Sequence, residues 1–225
     1  IINDETVNSQ AHGKQSFQKD SWGCFYTRTT GIWQNVWLEH VSKQKVREFY
    51  FYPSVKDTSV TVDLITNGNG RYAITVEYNG NKVGFAEGEM KYRERVKIPL
   101  DEAHLWALGK GELYDVVLQF EEDTVYSYFG LREVEYKGYD FYLNGEKIYQ
   151  KLVLDQGYFP DGIMTAPSVE AMEADIDRGL RLGFNGARLH QKVFDPKFLY
   201  YADQLGYLVW GEYANWGLDY SNPKS

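Results

Sequence analysis

The sequence contains a single cysteine, Cys24, among its 225 residues. No intrachain disulfide can form, which excludes the disulfide-framework class and favours a reducing compartment, so we expect a cytoplasmic protein. No apolar run is long enough to span a bilayer, and no signal peptide is recognisable at Ile1. These absences predict a protein that has no membrane partner.

Basic residues are also few. Lysine and arginine total 24 against 32 aspartate and glutamate residues, which gives a net charge of −8. Nucleic-acid-binding proteins concentrate positive charge, so no nucleic-acid partner is expected. The chain has no recognisable metal-ligand cluster, and no Gly-x-Gly-x-x-Gly follows the first strand of its last third. We therefore expect no metal ion and no cofactor.

Aromatic residues, by contrast, are abundant. They make up 16% of the chain, with 19 Tyr, 12 Phe and 6 Trp. Sugar rings stack on flat apolar faces, so this excess suits a carbohydrate-handling protein. Aromatic residues also pack well in β-sheets, and composition alone favours that plainer explanation.

The middle of the chain has the pattern of an antiparallel sandwich. Residues 31–40, with two tryptophans, predict a strand covered on both faces, whereas residues 1–17 are polar and predict a loop. Short runs separated by turn residues then predict seven strands. These runs are residues 47–52, 59–65, 72–78, 82–85, 92–98, 113–120 and 124–129.

The last third alternates between strand and helix patterns. An Asn144-Gly145 pair predicts a hairpin over residues 139–149. Ser168 and Asp195 are predicted N-caps of two amphipathic helices. The strands between and around those helices are residues 151–155, 184–190 and 207–210. Such a β-α-β-α-β order predicts a parallel sheet, either small and open or the first three strands of a (β/α)8 barrel.

Several motifs resemble one enzyme family when taken in order. They are Gly-Ile-Trp and Trp-Leu-Glu within residues 31–39, residues 104–114, Gly-Leu-Arg at 130–132 with Leu-Asn-Gly-Glu at 143–146, and residues 205–212. From Thr30 onwards the chain resembles an internal piece of the glycoside hydrolases of family 2, the relatives of β-galactosidase, β-glucuronidase and β-mannosidase. The resemblance implies a mainly β protein. It comprises the end of a sugar-binding jelly roll, with its last strand, and a linker (1–40), an immunoglobulin-like sandwich (41–136) and the first three strands of a (β/α)8 barrel (137–225).

The resemblance also implies an activity for the whole protein. Members hydrolyse β-linked O-glycosidic bonds with two carboxylates, an acid/base and a nucleophile, about 5 Å apart in retaining enzymes. Those carboxylates follow the fourth and seventh barrel strands, so no catalytic residue is predicted in this chain and the chain alone should be inactive. The alternative is a non-catalytic carbohydrate-binding or adhesion module. Either protein would take carbohydrate as its partner, and an open barrel edge would allow self-association.

Six residues near the ends of the last three strands are the predicted substrate-binding residues, namely Asp155, Arg188, His190, Glu212, Asn215 and Trp216. The resemblance implies that Arg188 bonds the nucleophile, although a structural ion pair would look the same. His190 lies on the same face as Arg188, or is a packed loop histidine. Glu212 imitates an acid/base motif, but its place after the third strand implies a supporting residue.

Overall fold

The computed structural model describes residues 11–217, so the first ten residues of the loop predicted at 1–17 lie outside the described residues. The chain divides into two compact units. The sandwich unit is Leu38–Tyr149, and the α/β unit combines Ile1–Trp37 with Gln150–Ser225. No helix within residues 11–217 has both the length and the apolar character needed to cross a bilayer.

The sandwich unit contains the seven predicted strands. One antiparallel sheet has the order β1-β2-β5 and the other has the order β4-β3-β6-β7. The strands are β1 Val46–Ser54, β2 Ser59–Thr66, β3 Gly70–Tyr78, β4 Asn81–Met90, β5 Arg93–Pro99, β6 Tyr114–Phe120 and β7 Asp123–Phe129. The immunoglobulin-like sandwich is thereby confirmed.

One hydrophobic core fills the space between these two sheets. Alternate residues of β2 point inward, and Val60, Val62 and Leu64 are completely buried. The facing sheet contributes Ile74 and Leu118, which are buried to the same extent. The period-two pattern that predicted the strands is therefore the pattern that builds the core.

A small antiparallel meander ends the sandwich unit. Its strands are β8 Val134–Lys137, β9 Asp140–Leu143 and β10 Glu146–Ile148. The hairpin between β9 and β10 turns at Asn144 and Gly145, whose φ values of 52° and 81° are those of a type I′ turn. This hairpin was predicted, but β8 was not, because all four of its residues are exposed and show no alternation.

The α/β unit contains the predicted β-α-β-α-β order. Its elements are β11 Leu152–Asp155, α1 Val169–Arg181, β12 Gly186–Leu189, α2 Pro196–Leu205 and β13 Leu208–Trp210. The strands are parallel in the order β11-β12-β13, as expected for the first three strands of a barrel. Ser168 Oγ accepts a hydrogen bond from the Ala171 amide at 3.2 Å, which confirms the predicted cap.

The two helices pack on the parallel sheet through one shared buried cluster. Ile176 of α1 and Phe198 of α2 share a buried cluster with Ala187 and Leu189 of β12. Strand β12 lies at the centre of the sheet, with β11 on one side and β13 on the other. The loops that follow the three strands therefore begin at a sheet that is held by the buried cluster.

The predicted strand at residues 31–40 was wrong. These residues form no strand, and Trp37 and Leu38 are 69% and 101% exposed. A strand needs a partner for its backbone hydrogen bonds, and no sheet of residues 11–217 extends to this segment. Trp33, at the start of the segment, is partly buried within the α/β unit.

Candidate functional site

The carboxyl ends of β11, β12 and β13 lie side by side. Arg188 in β12 is in register with Leu154 of β11 and with Trp210 of β13. Because the strands are parallel, the residues that follow them gather at one edge of the sheet. In α/β proteins that edge carries the functional groups.

Arg188 and Glu212 form an ion pair at this edge. The Arg188 Nε donates to Glu212 Oε1, and the two side chains are 50% and 23% exposed. Neither terminal nitrogen of Arg188 has a hydrogen-bond partner within residues 11–217. The guanidinium is therefore fixed by one carboxylate while its terminal N–H groups can receive another.

His190 lies beside this pair in a nearly buried position. Its backbone N–H donates to the Asp155 carbonyl at 2.8 Å, and its Nδ1 donates to Gln156 Oε1 at 3.0 Å. Burial lowers the pKa of His190 below its ordinary value, although the charge of Glu212 opposes that shift. The ring is therefore mostly neutral at pH 7, and its Nε2 can accept a hydrogen bond.

Trp216 lies edge-on to the His190 ring, with 6.0 Å between the ring centroids. Two backbone hydrogen bonds of 2.7 Å join Trp216 to His12. The Lys14 ammonium lies 4.9 Å from the centre of the indole ring, and Phe25 meets that ring edge-on. A segment near the start of the chain thus holds this tryptophan in place.

No pattern in the sequence indicates this contact. The residues before position 18 are polar and patternless, yet His12 and Ser16 are buried. The partner of His12, Trp216, lies about two hundred positions away along the chain, so no local period could have indicated this contact.

The remaining two predicted residues occupy different positions. Asn215 Oδ1 accepts from Gln191 Nε2 at 3.2 Å, next to Trp216. Asp155 turns away from the Arg188 pair, and its Oδ1 accepts from the Gly157 amide at 2.8 Å. Burial raises the pKa of Asp155.

Lys192 is a buried residue of this edge that the sequence did not single out. Its side chain enters the loop after β11, and with Asp155 it lines a cavity of about 30 Å³, large enough for a water molecule. Burial lowers the pKa of Lys192 to about 8. No sequence pattern marks a lysine as buried, because lysine is usually exposed.

No cluster of three or more His, Cys, Asp or Glu side chains within residues 11–217 could hold a metal ion. The edge therefore consists of one ion pair, one neutral histidine, an indole ring and an amide. Hydrogen-bonding groups beside an aromatic face are what a polyhydroxylated ring requires.

Known proteins similar to this chain are glycosidases by name. The chain is 25% identical to a β-galactosidase of Thermoanaerobacterium thermosulfurigenes over 210 residues, which cover 86% of this chain and 29% of that protein. It is 26% identical to a putative β-glucuronidase of Formosa agariphila over 203 residues, covering 81% of this chain and 24% of that one. The resemblance to glycosidases is confirmed. No protein-family model matches the chain.

The likeness extends to solved structures. A β-glucuronidase from Ruminococcus gnavus, in complex with D-glucuronic acid, superposes with a TM-score of 0.69 at 19% identity, covering 79% of this chain and 31% of that one. At this identity the match shows a shared fold. The chain spans less than a third of the length of each of these relatives.

Proposed function

We propose that the chain is part of a retaining glycosidase that hydrolyses β-linked O-glycosidic bonds. The observation that carries this proposal is the Arg188–Glu212 pair beside His190 and Trp216 at the carboxyl edge of three parallel strands. The names of the relatives point to the same chemistry. The division into a jelly-roll end with a linker (1–40), a sandwich (41–136) and a barrel part (137–225) belongs to this proposal.

Arg188 would hold the nucleophile of the whole enzyme. A guanidinium beside a carboxylate favours its ionised form, which a nucleophile needs for attack on the anomeric carbon. Glu212 engages the Nε of Arg188 and thereby sets the direction of the terminal nitrogens. Glu212 is therefore a supporting residue, and both catalytic carboxylates come from other parts of the whole protein.

His190, Asn215 and Trp216 would contact the sugar. The neutral imidazole can accept a hydrogen bond from a hydroxyl group, and the Asn215 amide can accept one or donate one. The indole of Trp216 offers an apolar surface for a pyranose ring. With Arg188 and Glu212 they form one part of a sugar site, which further strands of the whole protein would complete.

The test compares two arginine variants of the protein encoded by the complete reading frame. Hydrolysis of p-nitrophenyl β-D-galactoside and β-D-glucuronide is measured for R188A and for R181A. Arg181 is a matched control, because it is an exposed arginine of α1 that is also paired with a carboxylate, that of Asp177. We expect R188A to lower kcat by about 10²-fold or more, as does the loss of a preorganised charge contact, and R181A to leave it unchanged. Equal activities of the two variants, or no hydrolysis by the whole protein, would contradict the proposal.

A second candidate function is a carbohydrate-binding or adhesion module without catalysis. Tyr50 and Tyr52, two residues apart on β1, are about half exposed on the same face of the sandwich. Exposed rings of this kind can stack on sugars. If the complete protein retained polysaccharide in a pull-down but hydrolysed no glycoside, and Y52A abolished retention, this second function would replace the first.

We also propose that the chain self-associates through its parallel sheet. Strands β11 and β13 each have one strand neighbour within residues 11–217, and Leu154 and Trp210 on them are about half exposed. Unpaired edges of this kind favour association. Sedimentation velocity should show concentration-dependent dimers, and a monomer at every concentration would refute the idea. A cytoplasmic location remains a prediction.

A further inference from the structure

Lys192 joins two parts of one loop. Lys192 is only 7% exposed. Its Nζ donates one hydrogen bond to the carbonyl of Gly157 and another, at 2.8 Å, to the carbonyl of Met164. Those two carbonyls lie in the segment between β11 and α1 and are seven residues apart. A single buried ammonium therefore satisfies two backbone acceptors that would otherwise need other donors.

Aromatic rings surround the same ammonium. It lies 4.8 Å from the ring centre of Trp33, 5.2 Å from that of Tyr158 and 5.3 Å from that of Phe194. Tyr158 in turn stacks on Tyr26 with 4.1 Å between the ring centroids. Cation–π contacts of a desolvated ammonium are stabilising, so Lys192 ties the loop to the segment before position 37 as well as to the end of β12.

The backbone at Gly157 gives independent evidence for this close packing. Gly157 has a φ of +59°, and a Cβ there would lie 2.6 Å from Phe194 Cζ and 2.7 Å from Lys192 Cε. A residue with a Cβ would be strained by this positive φ and would clash with Phe194 and Lys192. The loop is thus shaped around Lys192.

The loop then continues into the candidate sugar site. Gly157 donates its amide to Asp155, and Gln156 between them accepts from Nδ1 of His190. We propose that Lys192 is a positioning residue that fixes the β11–α1 loop and thereby holds Gln156 on His190. The importance of this for sugar binding rests on the proposed function, whereas the positioning itself does not.

The test follows the loop and the histidine in the 225-residue chain. Substitution K192M keeps most of the length of the side chain and removes the ammonium with both of its hydrogen bonds. The control is K197M, on an exposed lysine of α2. Phe159, Ile163 and Thr165 have amides bonded within the loop, so their hydrogen exchange reports its closure. We expect exchange to accelerate by about tenfold or more in K192M, because losing one buried hydrogen bond favours opening of the loop by about that factor. In K197M the exchange rates should stay unchanged.

The second readout is the ring titration of His190 by NMR. Lys192 is not among the groups that shift the pKa of His190. A changed His190 pKa in K192M would therefore report an altered geometry around the ring. Loss of the Gln156 contact should expose the ring and raise its pKa towards the ordinary value. A purely structural lysine would accelerate exchange throughout the α/β unit by one common factor and leave His190 unmoved, which would overturn the proposal, as would an unchanged loop.

Chemical rescue guards against a variant that folds poorly. In a C24S background, K192C can be alkylated with 2-bromoethylamine in denaturant and refolded, which restores an ammonium at the length of lysine. We expect slow loop exchange and the original His190 titration to return with this reagent, whereas alkylation with 1-bromopropane should restore neither. Restoration by both reagents, or by neither, would overturn the proposal. None of these readouts depends on glycoside hydrolysis, so failure of the positioning role and failure of the glycosidase proposal are separate results.

Discussion

Raising the pH from 7.5 to 9.5 should stabilise the α/β unit against unfolding. Folding lowers the pKa of Lys192 to about 8 from its ordinary 10.5, mainly because the ammonium is buried. Between these two values the unfolded chain binds more protons than the folded chain. The free energy of unfolding therefore rises with pH across this window, and the contribution is lost as the pH falls through 8.

The size of the effect follows from the shift. A fall in the pKa from 10.5 to about 8 corresponds to about 3 kcal/mol in full, of which about 2 kcal/mol develops between pH 7.5 and 9.5. Burial raises the pKa values of Tyr158 and Tyr207 in the same unit. Raised tyrosine pKa values reduce stability only at about pH 10 and above, so they leave this window intact.

The assay is urea unfolding followed by tryptophan fluorescence. Five of the six tryptophans lie in the α/β unit, and only Trp106 lies in the sandwich unit. The midpoint should move to higher urea as the pH rises in the unaltered chain, and K192M should lose that movement. A flat or falling midpoint in the unaltered chain, or an equal rise in K192M, would refute the account of a buried, largely desolvated lysine.

Three further substitutions test the packing, each by urea unfolding. Y114F should destabilise the sandwich unit by about 1–3 kcal/mol, because the buried Tyr114 hydroxyl donates to one backbone carbonyl and accepts from one amide. The control Y126F, on an exposed ring, should leave the free energy of unfolding unchanged. S168A should cost the α/β unit about 1 kcal/mol through the lost cap of α1, and an unchanged midpoint would argue against that cap. G157A should destabilise the same unit by at least 1 kcal/mol, because its φ is +59° and its Cβ would meet Phe194. A G157A midpoint equal to that of the unaltered chain would mean that the loop is not tightly packed there.

Most of the fold could be predicted from the sequence, because it rests on local signals. Alternation marked β2 and its partners, and the residues that alternate are the ones that fill the core. Ser168 and Asp195 marked the starts of both helices through their capping chemistry. Strand β8 was missed because none of its residues is buried, and residues 31–40 were wrongly predicted as a strand because apolar residues alone do not supply a pairing partner.

The candidate site was predictable only in part. Strand order placed Arg188, His190 and Glu212 at one edge, since parallel strands end together. The contacts of Trp216 with His12 and Lys14 join residues far apart along the chain, and no pattern in the sequence indicates them. Burial of a lysine likewise depends on acceptors supplied by a distant loop.

The most direct test compares glycoside hydrolysis by two forms of the protein. The purified 225-residue chain and the protein encoded by the complete reading frame are assayed side by side on p-nitrophenyl β-D-galactoside and β-D-glucuronide. We expect turnover by the complete protein and none by the chain alone, because the proposed function assigns both catalytic carboxylates to other parts of the whole protein. Clear turnover by the chain, abolished by E212Q, would show that Glu212 is itself catalytic and would contradict the assignment of this chain as a supporting part of the enzyme.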